Sequence, residues 1–163
     1  MKIISGGQTG ADRAALDAAI KMGIPHGGWL PRGRKTEDGP LPKRYALREL
    51  DSDNYKKRTE KNVTASDGTL IVAYGPLNGG TALTESLTIK HDRPCLVLDL
   101  EEISPVQAVE ATRKWLMEKR ISILNVAGPR ASGEPRIYKA VKKLLLALDW
   151  ENIEQAIEER NYG

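Results

Sequence analysis

Short apolar runs, each too brief for a helix, recur along the chain between longer stretches whose apolar residues return every three or four positions. The runs at 2–5, 69–74, 95–100 and 122–126 read as buried strands, and a short fifth is expected near 26–30. Helical spacing covers about 10–22, 55–65, 80–91, 104–119 and 134–147. Ser104-Pro105 supplies an N-cap followed by a first-turn proline, and Gly23 a C-terminal stop. This alternation predicts the α/β class, with a doubly wound, mainly parallel sheet between helical layers. The 163 residues suit one ligand-binding domain spanning 1–163.

In such a sheet ligands bind beyond the carboxyl ends of the strands, so the loops that follow strands carry the interest. Three of them are rich in glycine: Gly6-Gly7-Gln8-Thr9-Gly10, then Gly75-Pro76-Leu77-Asn78-Gly79-Gly80-Thr81, then Gly128-Pro129-Arg130-Ala131-Ser132-Gly133. Glycine lets backbone amides approach a ligand, and a helix start offers unpaired N–H groups at a positive dipole end. An anionic small molecule is therefore the expected ligand, and tight turns without a ligand are the alternative. The first loop has the spacing G-G-x-x-G, not G-x-G-x-x-G, and no Gly-Lys-Ser/Thr follows it, so neither dehydrogenase nor NTPase chemistry is directly indicated.

Candidate ligand-binding residues follow from these loops: Gly6, Gly7, Gln8, Thr9, Gly10, Asp12 and Arg13 at the first, and Asn78, Gly79, Gly80, Thr81 and Glu85 at the second. Thr81 serves equally as an N-cap, and Glu85 as an acid, a base, a ribose ligand or a solvated helix residue. Arg13 opposes the helix dipole in a first turn, beside Asp12, and Arg130 offers a planar fork for phosphate in the third loop. Arg32 and Arg34 lie in Gly27-Gly28-Trp29-Leu30-Pro31-Arg32-Gly33-Arg34-Lys35, where an aromatic plane beside positive charge suits a phosphorylated heterocycle or, equally, a mobile basic loop with Trp29 in the core. Arg58 and Asn62 are a helical turn apart and face one way, either as ligand groups or as a clamp between loops.

The formal net charge of +3 is too small to argue for nucleic acid by itself. His26, His91 and the single Cys95 show no spacing resembling a zinc or iron site, and no G-x-S-x-G elbow or Cys-His pairing appears. With one cysteine no intrachain disulfide forms, and Cys95 reads as a strand residue. No apolar stretch approaches a membrane span, and the N-terminus enters a strand at once, so a complete cytoplasmic protein without membrane contact is expected.

Ser-Gly-Gly-Gln-Thr-Gly-Ala-Asp-Arg at 5–13, Gly-Gly-Trp-x-Pro-x-Gly-Arg at 27–34, Glu-Asp-Gly at 37–39, Tyr-x-x-Arg-Thr-Glu-x-Asn-Val at 55–63, Ser-Asp-Gly-Thr-Leu-Ile at 66–71 and Gly-Gly-Thr at 79–81 together resemble the molybdenum carrier family over most of the chain. That family stands among Rossmann-like proteins that include lysine-decarboxylase-like phosphoribohydrolases and DNA-processing A proteins. The resemblance implies a three-layer α/β/α fold, a molybdenum cofactor (pterin phosphate) or nucleotide as bound ligand, and a homo-oligomer. Phosphoribohydrolases carry Pro-Gly-Gly-x-Gly-Thr-x-x-Glu, with the glutamate acting on the glycosidic bond. In this chain Asn78-Gly79-Gly80-Thr81 lacks the proline and the x-Gly, and Glu85 falls one residue late. One helical position turns a side chain by about 100°, so that role does not carry over to Glu85.

Three functions remain open on the sequence. The first is a binding protein for a phosphate-bearing small molecule. The second is a nucleotide-processing N-glycosidase using Glu85 or Asp12, and the third a scaffold or nucleic-acid partner using the basic clusters at 32–35 and 56–58.

Overall fold

The computed structural model describes residues 1–163. In chain order its elements are β1 (Lys2–Ile4), α1 (Ala11–Met22), β2 (His26–Gly27), β3 (Trp29–Leu30), β4 (Lys35–Thr36), β5 (Gly39–Pro40), β6 (Arg48–Glu49), α2 (Tyr55–Thr64), β7 (Gly68–Ala73), α3 (Gly79–Lys90), β8 (Cys95–Asp99), α4 (Pro105–Glu118), β9 (Ile123–Ala127), α5 (Ile137–Leu146) and α6 (Trp150–Tyr162). Five strands form one wholly parallel sheet in the order β2-β1-β9-β7-β8.

Right-handed crossovers decide which helix covers which face. Connections running one way along the sheet, β1 to β2 and β8 to β9, put α1 and α4 on one side. Those running the other way, β2 to β7 and β7 to β8, put α2 and α3 on the opposite side. The packing agrees, since α1 and α4 both meet α5, α4 also meets α6, and α2 lies against α3. Most of the core sits under the four-helix layer, where 23 buried residues cluster. Leu70 and Val72 of β7 and Leu124 and Val126 of β9 project into it on alternate pleats. α4 begins as its sequence directs, with a capping box between Ser104 and Gln107 and Pro105 in its first turn.

The expected fifth strand is split. His26–Gly27 joins the sheet beside β1, whereas Trp29–Leu30 pairs with β6 in a separate two-stranded ribbon. The break falls at Gly28, where φ is 127° and any Cβ would collide with the Ser5 carbonyl oxygen, 2.0 Å away. Residues 28–50 thus form a small insertion whose Leu30, Leu41, Tyr45 and Leu47 cluster with Leu16 of α1. It is pinned to the main domain at Asp17 of α1, which accepts hydrogen bonds from Tyr45 of the insertion and Tyr138 of α5. The helix expected from 134 starts at Ile137, and α6 is an element the periodicity did not predict. No helix is long and apolar enough to cross a membrane.

Candidate functional site

The chain leaves β9 toward α5 on one face and β7 toward α3 on the other, so a crevice opens between these two strands at their carboxyl ends. A cleft of about 390 Å³ occupies it. Of the expected residues, Gly6, Gln8, Asp12, Asn78, Gly79, Gly80, Thr81 and Arg130 line it together, joined by Arg58, Thr59, Asn62, Thr84, Asn125 and Gly128.

The α3 side of the cleft has the unsatisfied donors. The amides of Gly79 and Gly80 make no hydrogen bond within the chain, and Asn78, at the N-cap position, places no side-chain bond on them. A Cβ built at either glycine meets no atom within 4 Å, so open space lies before this helix start. The Thr81 side chain, on the next residue, also has no intrachain hydrogen-bond partner.

The first glycine loop behaves differently from the cradle its sequence suggests, because several of its donors are already taken, although the amides of Gly6, Gly10 and Asp12 make no hydrogen bond within the chain. Gln8 N–H donates to Asp12 Oδ2 at 3.2 Å, Thr9 N–H to Gln8 Oε1 at 3.0 Å and Gly7 N–H to Ser5 Oγ at 3.3 Å. Ala11 N–H donates to the Pro129 carbonyl and Arg13 N–H to the Gln8 carbonyl. Its glycines answer protein neighbours. A Cβ at Gly10, where φ is 78°, would come within 2.4 Å of the Pro129 oxygen, and one at Gly6 would overlap the Arg58 guanidinium at 1.6 Å. The loop is therefore a rigid wall that presses against the third loop and lets Arg58 lie flat across it.

Arg58 reaches Asp12 across that wall, with Nη1 3.2 Å from Oδ2 and both side chains almost wholly buried. Its Nε is buried without a partner. Burial pushes the Asp12 carboxyl above its ordinary range, outweighing the opposing pull of the Arg58 charge and the Gln8 N–H. Asn62, from the same helical turn, is the clamp, since its Oδ1 accepts from Trp29 N–H and its Nδ2 donates to the Trp29 carbonyl, both at 2.9 Å. On β9 the Asn125 side chain donates to Thr69 Oγ1 at 3.2 Å and leaves its carbonyl oxygen unpartnered on the cleft wall.

Other expected residues lie away from the cleft. Arg34 directs its guanidinium at four carbonyl oxygens of the insertion, those of Leu41, Pro42, Tyr45 and Leu47. Arg32 donates to the Asp51 carbonyl. Arg13 pairs with Asp38 at 3.1 Å and reaches the Gly7 carbonyl at 3.4 Å. All three have internal duties that the sequence around them does not reveal. Thr9 donates to Glu37, whose carboxylate also takes Ser132 N–H and Oγ and lies 3.9 Å from Arg130. Trp29 carries Lys61 over its ring at 4.9 Å and Arg48 at 5.6 Å, so cations hold the plane proposed for a heterocycle. Glu85 is absent from the cleft wall, and its charge, added to burial, raises the Cys95 thiol on β8. Thr84 lines the cleft instead, at the register where a phosphoribohydrolase has its glutamate. No group of three or more His, Cys, Asp or Glu side chains is placed to hold a metal ion.

Asn125 and Thr84 escaped the sequence reading although each left a trace. A lone amide inside the apolar strand Ile-Leu-Asn-Val-Ala is out of character, and Thr84 sits three residues after Thr81.

Strand order, crossover pattern and crevice define a Rossmann-like three-layer α/β protein. Its strands follow the Rossmann order once the last, β9, is read as the first: β2-β1-β9-β7-β8 becomes 3-2-1-4-5. Residues 3–148 match the circularly permutated YpsA SLOG family, and the chain belongs to that family. A crystal structure of a "Putative molybdenum carrier protein" from Syntrophus aciditrophicus SB is 54% identical to it, covers 88% of this chain and 91% of its own, and superimposes with a TM-score of 0.88. The resemblance read from the motifs is thus borne out. No protein of curated function matches the chain.

Proposed function

We propose that this protein binds a phosphate-bearing small molecule, the molybdenum cofactor or a nucleotide, with the anionic end seated at the start of α3. The observation that carries this reading is the pair of free amides at Gly79 and Gly80, two residues that line the cleft at the positive end of a 12-residue helix. A terminal phosphate offers acceptors for both, each charge-assisted bond contributing about 1.5–3 kcal/mol. Arg130, on the facing loop, adds a cation. The name of the similar Syntrophus protein supports molybdenum cofactor as one candidate; a nucleotide offers the same anionic end. Binding is favoured over N-glycoside cleavage because Thr84, which has no carboxylate, stands in the glutamate register. The single cysteine fits work in the reducing cytoplasm.

Gly80→Asp tests the reading. A Cβ at position 80 meets no protein atom within 4 Å, so the variant should fold, and its carboxylate should compete with a bound anion for the amides. Wild-type protein is stabilised by a phosphate-bearing ligand, by about 2.7 kcal/mol at 100 times the dissociation constant, and the variant is not. A folded variant whose thermal midpoint still rises with ligand as the wild type's does would refute the proposal.

A further inference from the structure

The parallel sheet has two edges of unequal character. β2, at one edge, is two residues long and runs on into the insertion. β8, at the other, is five residues long and pairs with β7 alone, in an unbroken register. Thr69 N–H donates to the Pro94 carbonyl and Leu100 N–H to the Ala73 carbonyl, so the even-numbered residues from 94 to 100 turn their backbone groups toward β7 and the odd-numbered ones turn theirs outward. The Asp99 carbonyl is engaged by the turn that follows, through Glu102 and Ile103 N–H. Cys95 and Val97 remain, each with an N–H and a C=O that meet no partner in the chain.

Proteins ordinarily blunt such an edge with lysine, proline, a bulge or a covering segment. Cys95-Leu96-Val97-Leu98 carries none of these. The surface beside it is apolar too. Leu98 belongs to the core under the four-helix layer, so Val97 projects on the α3 side, where it is 37% exposed. Ile89, one helical turn beyond the Glu85 whose charge reaches Cys95, is 74% exposed.

We infer that β8 pairs antiparallel with β8 of a second copy, about a two-fold axis through Leu96, so that the sheets of the two copies become one. The free groups set the register. Cys95 and Val97 stand symmetrically about Leu96, and Cys95 of each copy exchanges both hydrogen bonds with Val97 of the other, which uses every outward group of these two residues. A second copy is the occupant because the edge is its own complement. The paired residues are uncharged, so no like charges oppose each other along the seam, and the axis keeps Val97 and Ile89 of both copies on one side of the joined sheet. The two-residue β2 offers no comparable ladder, so association closes at two copies instead of growing into a filament.

Val97→Pro tests the pairing, because Val97 N–H has no partner within the chain and proline is tolerated on an edge strand. In sedimentation equilibrium the wild type should be a dimer. The variant, folded by circular dichroism, loses one hydrogen bond from each copy and should dissociate about 30-fold more readily, the value for two ordinary hydrogen bonds. Val97→Lys, which keeps the backbone donor and puts a cation on the seam, serves if the proline variant does not fold, and should also shift the protein to monomer. Amide hydrogens of Cys95 and Val97 should exchange more slowly in the dimer than in dilute monomer. A wild type that stays monomeric at roughly 0.1 mM, or an oligomer that a folded Val97 variant leaves equally tight, would overturn the inference. So would an oligomer in which those two amides exchange as fast as in the monomer. None of these outcomes bears on anion binding at the start of α3.

Discussion

Arg34 illustrates how a residue can carry charge for internal use. Its backbone is left-handed, with φ 55°, and its guanidinium bonds four carbonyls at 2.7 to 3.2 Å, closing the loop from Leu41 to Leu47 around itself. Those oxygens lose their donors together in Arg34→Ala, which should cost about 2–4 kcal/mol in chemical denaturation and leave ligand affinity unchanged. The sequence displayed Arg34 as one of a cluster of positive charges, and nothing local to it announces carbonyls 7 to 13 residues away. Gly79 and Gly80 were legible for the opposite reason, because a helix start leaves its first amides free unless a neighbour intervenes, and none does here. In the first glycine loop neighbours do intervene. The Asp12 carboxylate answers one amide and the Pro129 carbonyl another, and both depend on tertiary contacts that spacing alone does not encode.

Among the elements, the hairpin of β4 and β5 acts as a strap. Its Glu37 holds Ser132 of the third loop and Thr9 of the first, and these hydrogen bonds, Ser132 foremost, hold its carboxyl below the usual range. A carboxylate whose folded pKa is depressed stabilises the fold at pH values above its unfolded pKa, about 4.3, and that contribution is lost as pH falls through the lower folded value. Melting temperature measured from pH 7 down to pH 3 should therefore fall more steeply in the wild type than in Glu37→Gln, the two curves converging at the acid end. Strands and most helices could be read from periodicity because their apolar faces are long. The hairpin has two-residue strands and no apolar face, and α6 buries only Trp150, Ile153 and Ile157, too few to stand out among its charges.

For the molecule as a whole, moving one strand from the front of the chain to its end leaves the sheet order and the crevice where a Rossmann fold has them. The N-terminus, beside the cut, is tied to Glu154 of α6. What the permutation changes is which turn follows the central strand: the loop at 128–136, after β9, takes the place that the first turn has in an unpermuted chain. Neighbouring β7, on the other side of the crevice, leads to the helix whose amides stay free. The two flanks of the cleft therefore differ before any ligand arrives, and deuterium uptake should record the difference. Backbone hydrogens of Gly7, Gln8 and Thr9, already bonded, should exchange slowly in the empty protein and change little on binding, while those of Gly79 and Gly80 exchange fast and slow down only when a bound anion holds them. Three bonded amides of the first glycine-rich turn, the most conspicuous feature of the sequence, would then be silent in that measurement, and occupancy would be reported by two hydrogens at the start of a different helix.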